Sequence, residues 1–463
     1  RYVAPVLASS AVNKTSSSGG FHTDSNGSSY QVTDAAGNLV DLNGQEIDNS
    51  FTGGPGFVAS FSPTAAQSLA VVADMQESGV PVAYTYISDL HDKKAGATGC
   101  TSPGNALGPG DPCYEAAAAS YNQAFASFFS RLAADGITPA NSLFVFIADE
   151  GDHFVGANAG RSIQPSCSPG GTVGITCSYP SGTIGEVSED LNALVAQETG
   201  DQTAFTAQPQ DDSIYVNGQP GPNTPAVRQL ERDAGKVTAP DPYAGATEAV
   251  ANYLADPAEE AVLHFVDADS ARTPTFTLFP KPDFFASSGT KCTDPTTIGN
   301  PNSCTVLNSG FAWDHGYYAA EINNTWLGLV GPDVRNLGLN GKLPANGPSS
   351  AGPNSGNVTT PGAGTTGIRA DHTDTQPTMM ALAGLKDDYQ TDGRVLSEVI
   401  TPNALPAAAQ GSDYLNLAAC YKQLDSSVGI FGTNTLEADT VAMESGSGSS
   451  DNQYQSFQVA LAN

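Results

Sequence analysis

Apolar and polar positions along the chain keep two rhythms in turn, one of about 3.6 residues and one of two to four consecutive apolar positions. Residues 64–78 carry Ala, Leu, Val and Met at helical spacing and predict a helix. Residues 82–87 form a short apolar run that reads as a strand and empties into Ser88-Asp89-Leu90-His91-Asp92. Asp111-Pro112 supplies an N-cap followed by proline at the first helical position. Tyr121, Phe125, Phe128 and Leu132 then share one helix face, and Gly136 stops that helix. Residues 143–148 are nearly continuous apolar sequence after the turn-formers Pro139 and Asn141, which predicts a strand buried on both faces. Asp149-Glu150-Gly151-Asp152-His153 comes directly after it. Strand, helix, strand in this order predicts a parallel pair with both polar clusters on one sheet edge.

Downstream, residues 186–198, 224–233, 247–254 and 377–385 read as helices, and 213–216, 261–265, 275–279 and 325–330 as strands. Residues 1–60 are rich in Ser, Gly, Thr and Asn and read as irregular structure without an internal repeat. A 61–400 α/β domain is expected next, with loop insertions at about 155–184, 286–310 and 340–367, and then a 401–463 extension. The whole of 281–310 reads as loop.

Charge narrows the function. There are 48 acids against 18 bases, a net charge of -30, so the surface repels phosphate backbones and nucleic-acid binding is excluded. No apolar run approaches the roughly 20 residues of a membrane helix. Six of the seven cysteines fall in sequence-local couples, Cys100/Cys113, Cys167/Cys177 and Cys292/Cys304, without a zinc-type C-x-x-C. Loop-stapling disulfides in a secreted or periplasmic protein fit that spacing. Cys420 is left over. It is open as a free thiol or as one with a partner on another chain, in an oligomer or on a second polypeptide piece.

Candidate chemistry sits beside the histidines. His91, His153, His315 and His372 each neighbour acids: Asp89 and Asp92, Asp152, Asp314, and Asp371 with Asp374. His264 reads as a packing residue. Carboxylates beyond a strand end suit hard cations, and imidazole among them shifts the expectation towards zinc or another transition metal and away from calcium. The acids beside each His would also serve as acceptors that orient it.

The order of these clusters resembles the alkaline phosphatase superfamily. The series is Asp149-Glu150-Gly151-Asp152-His153 at a strand end, then Asp314-His315-Gly316 ahead of a strand ending in Gly331-Pro332. Asp371-His372-Thr373-Asp374-Thr375-Gln376-Pro377-Thr378 comes next, with Gly384-Leu385 after it, and then Asp392-Gly393-Arg394. The likeness covers roughly residues 80–400. It implies an α/β/α sandwich with a mainly parallel central sheet and a two-metal hydrolysis of phosphate mono- or diesters. It implies metal ligation by Asp89, His91, Asp149, Glu150 and His315. Asp92, Asp152, His153, Asp314, His372 and Asp374 become residues that orient the ligands or face the substrate. Two departures stand out. Asp89 and His91 are two apart where the superfamily spaces that pair by four, so Asp92 is also open as the partner acid. And the superfamily's nucleophile, a Ser or Thr at a helix start after the first strand, has no convincing counterpart: Ser9, Ser10 and Thr15 are the early hydroxyls. The alternative is therefore a catalytically degenerate structural or binding protein of an extracellular assembly. A calcium-stabilised adhesion module is a third reading.

Overall fold

Capping chemistry sets the first helix. Thr64 Oγ1 accepts from the Gln67 backbone N–H, and Gln67 Oε1 accepts from the Thr64 N–H at 2.9 Å, a reciprocal box that starts α1, Ala65–Glu77. Asp111 likewise accepts from the Cys113 N–H and opens α2, Pro112–Ala134. The computed structural model describes residues 14–16, 19–49, 53–56, 63–88, 90, 108–156, 179, 182–208, 213–289, 292–300, 302–323, 325–337, 370–386, 388–445 and 452–461. The chain divides into two compact units: 1–143 with 160–184 and 309–311, and 144–159 with 185–308 and 312–463.

The first unit holds α1, α2 and the strands β1 (Lys14–Ser16), β2 (Gly19–Thr23), β3 (Ser29–Thr33), β4 (Asp48–Asn49) and β5 (Gly54–Pro55), all paired antiparallel. The expectation of repeat-free irregular structure fails here. Three successive Asp-x-x-Gly turns recur at Asp24, Asp34 and Asp41. In each, Asp Oδ1 accepts from the N–H groups two and four residues on. Gly27, Gly37 and Gly44 take positive φ, which the tight turn requires. Polar turn residues dominate the composition and mask the strands between them. The core of the unit contains an ion cluster: Arg131 donates Nε to Glu77 at 2.6 Å and NH2 to Asp74, and its guanidinium covers the Tyr30 ring. Burial raises Asp74 to about 7 despite Arg131.

The second unit opens with β6 (Phe144–Ile147) and β7 (His153–Phe154). Then come β8 (Glu186–Asp190), α3 (Leu191–Glu198), β9 (Phe205–Gln208), β10 (Ser213–Val216), α4 (Pro225–Ala234), β11 (Thr238–Asp241), β12 (Ala246–Ala249), β13 (Ala251–Ala255) and α5 (Pro257–Val262). Next are β14 (Phe276–Pro280), β15 (Phe284–Ser287), β16 (Asp294–Ile298), β17 (Ser303–Asn308), β18 (Trp313–Asp314), α6 (Ala320–Asn323) and β19 (Leu327–Val330). The helices α7 (Thr375–Leu382), α8 (Ser412–Asp425), α9 (Ile430–Ser445) and α10 (Asn452–Leu461) close it. One sheet runs β13-β14-β10-β9 and is antiparallel throughout; another runs β15-β8-β17-β16 and mixes both directions. The main core gathers Leu191, Leu194, Ile214, Leu230, Leu254, Phe276 and Phe284.

The protein is thus mixed α/β, but the sheets of the described residues are small and mostly antiparallel, and the expected parallel pair does not form there. Residues 82–88 carry no strand; Val82 is 80% and Tyr84 89% exposed, so this run buries nothing that would reward pairing. β6 instead pairs antiparallel with β19. A two-stranded ribbon cannot cover both faces, and Ile147 is exposed where full burial was expected. Residues 186–190, 247–249 and 251–254 are strand where Glu- and Ala-rich sequence suggested helix, because pairing with β15 and β17, with β11, and with β14 outweighs weak propensity. Residues 261–262 finish α5 and 263–264 form a turn, so no strand forms there, and the described residues of 281–310 contain three strands. Cys292 and Cys304 are bridged and Cys113 is disulfide-bonded; Cys100, Cys167 and Cys177 lie outside the described residues. No helix of the described residues is long and apolar enough to cross a membrane.

Arg131→Met would leave Asp74 and Glu77 buried without their counter-charge. Chemical denaturation of this variant is expected to show a loss of about 3–5 kcal/mol. A loss within the surface range, below about 0.5 kcal/mol, would mean the cluster is solvated.

Candidate metal centre

Two short ladders deliver the acids and imidazoles. β6 and β19 run from Phe144↔Val330 to Ile147↔Leu327, and the Ala148 N–H continues towards Trp326 O at 3.5 Å. β7 and β18 pair His153 with Asp314 and Phe154 with Trp313, and the Val155 N–H extends the ladder to Ala312 O at 2.8 Å. One step beyond the His153–Asp314 pair, antiparallel register sets Asp152 opposite His315. The side chains meet there: His315 Nδ1 lies 3.1 Å from Asp152 Oδ1 and 3.3 Å from Glu150 Oε1.

The spacing suits an ion. Zinc bonds of about 2.0–2.2 Å to N and O imply neighbouring ligand atoms about 3–3.5 Å apart. Glu150, Asp152 and His315 offer one imidazole nitrogen and two carboxylate oxygens, all within 4.8 Å of one another, and both distances from His315 fall in that range. A second group, His22, Glu77 and Asp135 of the first unit, also gathers ligand atoms. Its geometry argues otherwise: His22 Nε2 sits 2.6 Å from Asp135 Oδ2, a direct hydrogen bond with no room for an ion, and Arg131 already holds Glu77.

Electrostatics sharpen the first group. Burial pulls the His315 imidazole down, but its hydrogen bond to Asp152 and the charges of Glu150, Asp152 and Asp314 outweigh this and raise it to about 9. That is the signature of a place with surplus negative charge, which a bound cation would meet as readily as a proton. Asp314 is buried, which lifts its carboxyl well above the ordinary range against the Tyr317 hydrogen bond. Its Oδ1 accepts from the His315 backbone N–H at 2.9 Å, and so fixes the turn that presents the imidazole. His153 is buried and bonds Asp283 Oδ1 through Nε2 at 3.0 Å, away from the cation group. Burial also lifts Glu186 to about 7, and His315 moderates that rise. Glu186 was missed in the sequence because a Glu opening an apolar stretch gives no signal.

Asp149 and His372 form a separate arm. Asp149 is exposed beyond the end of β6, and its charge acts on His372. Burial lowers the His372 pKa, with Asp371 and Asp149 opposing. His372 Nε2 is 2.7 Å from Thr325 Oγ1. Lys422 anchors this arm. It is 0% exposed, and its Nζ reaches Asp371 at 2.9 and 3.0 Å and Asp374 Oδ1 at 2.8 Å. Asp374 Oδ1 also accepts from the Arg394 N–H, tying the start of α7 to residue 394. A single Lys in the Cys420-Tyr421-Lys422 segment of α8 gave no sequence cue to this role.

Of the residues expected to act together, Glu150, Asp152, Asp314 and His315 are adjacent, His153 flanks them, and Asp371 through Asp374 hold His372. Asp89, His91 and Asp92 lie outside the described residues. No family model, no curated protein and no solved structure matches this chain.

Lys422→Met is expected to cost about 3–5 kcal/mol in chemical denaturation, because Asp371 and Asp374 lose the ammonium between them. Adding Asp371→Asn should recover part of that loss; an unchanged double variant would show that the pair does not need the lysine.

Proposed function

We propose that this chain is a secreted, metal-dependent phosphoesterase-like hydrolase that cleaves phosphate mono- or diesters. The observation that carries the reading is the convergence of Glu150, Asp152 and His315 at coordination spacing. The motif series from Asp149 to Arg394 supports placing it in the alkaline phosphatase superfamily. The superfamily's parallel α/β/α sandwich rests on motif order alone. The paired Cys292 and Cys304 are compatible with an oxidising compartment.

Glu150, Asp152 and His315 would hold one divalent ion, zinc or another transition metal. A bound ion of this kind supplies charge stabilisation at a phosphoryl oxygen and lowers the pKa of a bound nucleophile. The chain's own residues do the rest. Asp314 keeps His315 oriented through the backbone contact, and Asp371, Asp374 and Lys422 hold the turn that exposes His372. From there His372 would face an ester and pass a proton to the leaving oxygen, a step within the usual range of positioned imidazoles. We assign no nucleophile.

The second reading, a degenerate extracellular structural or binding protein, is favoured by one observation. Thr15, an early hydroxyl, sits in β1 opposite Gly20 and not at a helix start. Both readings are separated by one pair of measurements on the intact chain: zinc content by mass spectrometry and hydrolysis of an aryl phosphate. The hydrolase reading expects stoichiometric zinc and turnover, with His315→Ala lowering zinc affinity by at least about 100-fold. Zinc bound without turnover supports the second reading. Wild-type turnover retained in His315→Ala sinks the assignment of this centre.

A further inference from the structure

Five carboxyl groups without solvent exposure lie where α9 and α10 rest on α4, β13 and α5: Glu231, Asp256, Glu259, Glu260 and Asp439. Arg228 of α4 is buried against two of them, Glu231 and Asp256. Among the described residues that arginine pairs with Glu231 and Asp256, and Glu259, Glu260 and Asp439 form no ion pair. Arg228 is committed to Glu231 at 2.8 Å and Asp256 at 3.5 Å, and its guanidinium covers the Tyr454 ring. Asp256 is fully engaged: Oδ1 caps α5 by accepting from Ala258 and Glu259 N–H, and Oδ2 accepts from Tyr454 and Gln458 of α10.

The other three acids share a pattern. Asp439 Oδ2 accepts from the Asp256 N–H at 3.0 Å, Glu259 Oε1 from Thr435 Oγ1 at 2.9 Å, and Glu260 Oε1 from Thr277 Oγ1 at 2.9 Å. The second oxygen of each is buried and makes no hydrogen bond. An ionised carboxylate would leave charge on a buried oxygen that accepts no hydrogen bond, and protonation removes that charge. These oxygens do not form one of the converging ligand groups, so a shared cation is the poorer explanation.

We propose that Asp439, Glu259 and Glu260 form a proton-held clasp: they are buried as neutral acids, and α9 and α10 stay seated only while the protons remain. Burial, with the neighbouring carboxylates adding to it, lifts Glu259 and Glu260 to about 8 and Asp439 to about 9. A carboxyl whose folded pKa is raised makes the seated state hold protons that the open state releases. The clasp is therefore strongest at and below the ordinary carboxyl range, weakens as pH rises, and reaches its floor above about 9. The consequence extends along the unit. Leu436 of α9 packs with Tyr318, and the Tyr318 hydroxyl donates to Ser427 O. Tyr318 lies three residues after His315, so unseating α9 removes the backing of the turn that carries that imidazole.

Hydrogen exchange of the whole chain, read on peptides from α9 and α10 and corrected for the intrinsic pH dependence of exchange, tests this. Between about pH 7 and about 9 the opening equilibrium should rise by up to about tenfold per pH unit for each proton released. Asp439→Asn keeps the shape and removes the charge, so its slope should fall by about one proton and its helices should open less than those of the wild type at the alkaline end. Glu259→Gln should behave alike and decides the matter if Asp439→Asn does not fold. Asp413→Asn, on the exposed side of α8, should leave the slope unchanged. A wild-type opening equilibrium independent of pH overturns the proposal, as does a slope that neither amide variant reduces.

Discussion

The register of two short antiparallel ladders is the constraint on which the candidate centre depends. β6/β19 and β7/β18 are too small to be independently stable; a two-stranded ribbon alone is marginal in water. Yet their register decides everything at the site, because a one-residue slip in a ladder turns every side chain to the opposite face. With His153 opposite Asp314, the acids on one strand exit meet the imidazole on the other. A slip would put Asp152 beside Asp314 and leave His315 without both of its carboxylate neighbours. The aromatic contact of Phe154 with Trp313, rings 5.1 Å apart, sits in the adjacent pair and helps to hold the register.

The same dependence on register separates the features legible in the chain from those that were not. Local signals could be read: the Thr64 and Asp111 caps, the proline at the start of α2, and the apolar run of β6 with its trailing acids all lie within a few residues of the structure they specify. So did the Cys292/Cys304 couple. Pairing partners were not legible, since β6 carries apolar residues that suit a parallel or an antiparallel neighbour equally well. The expectation of a parallel sheet came from the strand–helix–strand order, and residues 82–88 supply no strand to complete it. The choice of Glu150 and Asp152 as candidates did not depend on that pair, because it rested on the residues directly after β6 in the chain and not on the strand beside it in space. Strands at 247–254 and 281–310 were hidden for a related reason: Ala, Glu, Ser and Asn have no β preference, and only the partner strand makes them extended.

Buried charge is the other thread. With 18 bases for 48 acids, most acids must be solvated, yet a handful of bases are fully interior. Arg131, Arg228, Arg394 and Lys422 are all buried, each beside carboxylates. Isolated buried pairs add little net stability against a well-packed apolar core, but breaking one is costly. They act instead as geometric selectors: Lys422 accepts only a conformation in which Asp371 and Asp374 converge, and that conformation is the one which presents His372. The sequence offers no hint of such selection, because the partners are 48 and 51 residues away.

Where bases are too few, protons must substitute. A carboxyl taken out of water without a cation either stays uncharged or drives the segment back into solvent. The α9 and α10 contact is where this chain meets that choice, since Asp439 arrives on α9 at a place where Arg228 is already engaged by Glu231 and Asp256. At the candidate metal centre the same surplus of acid is met differently. Glu150 and Asp152 remain partly exposed and have an imidazole between them, so a cation or a proton on His315 can balance them without dehydrating either acid. The difference in exposure therefore separates the two acidic clusters: Glu150 and Asp152 stay open to exchange with solvent, and Asp439, Glu259 and Glu260 are closed to it.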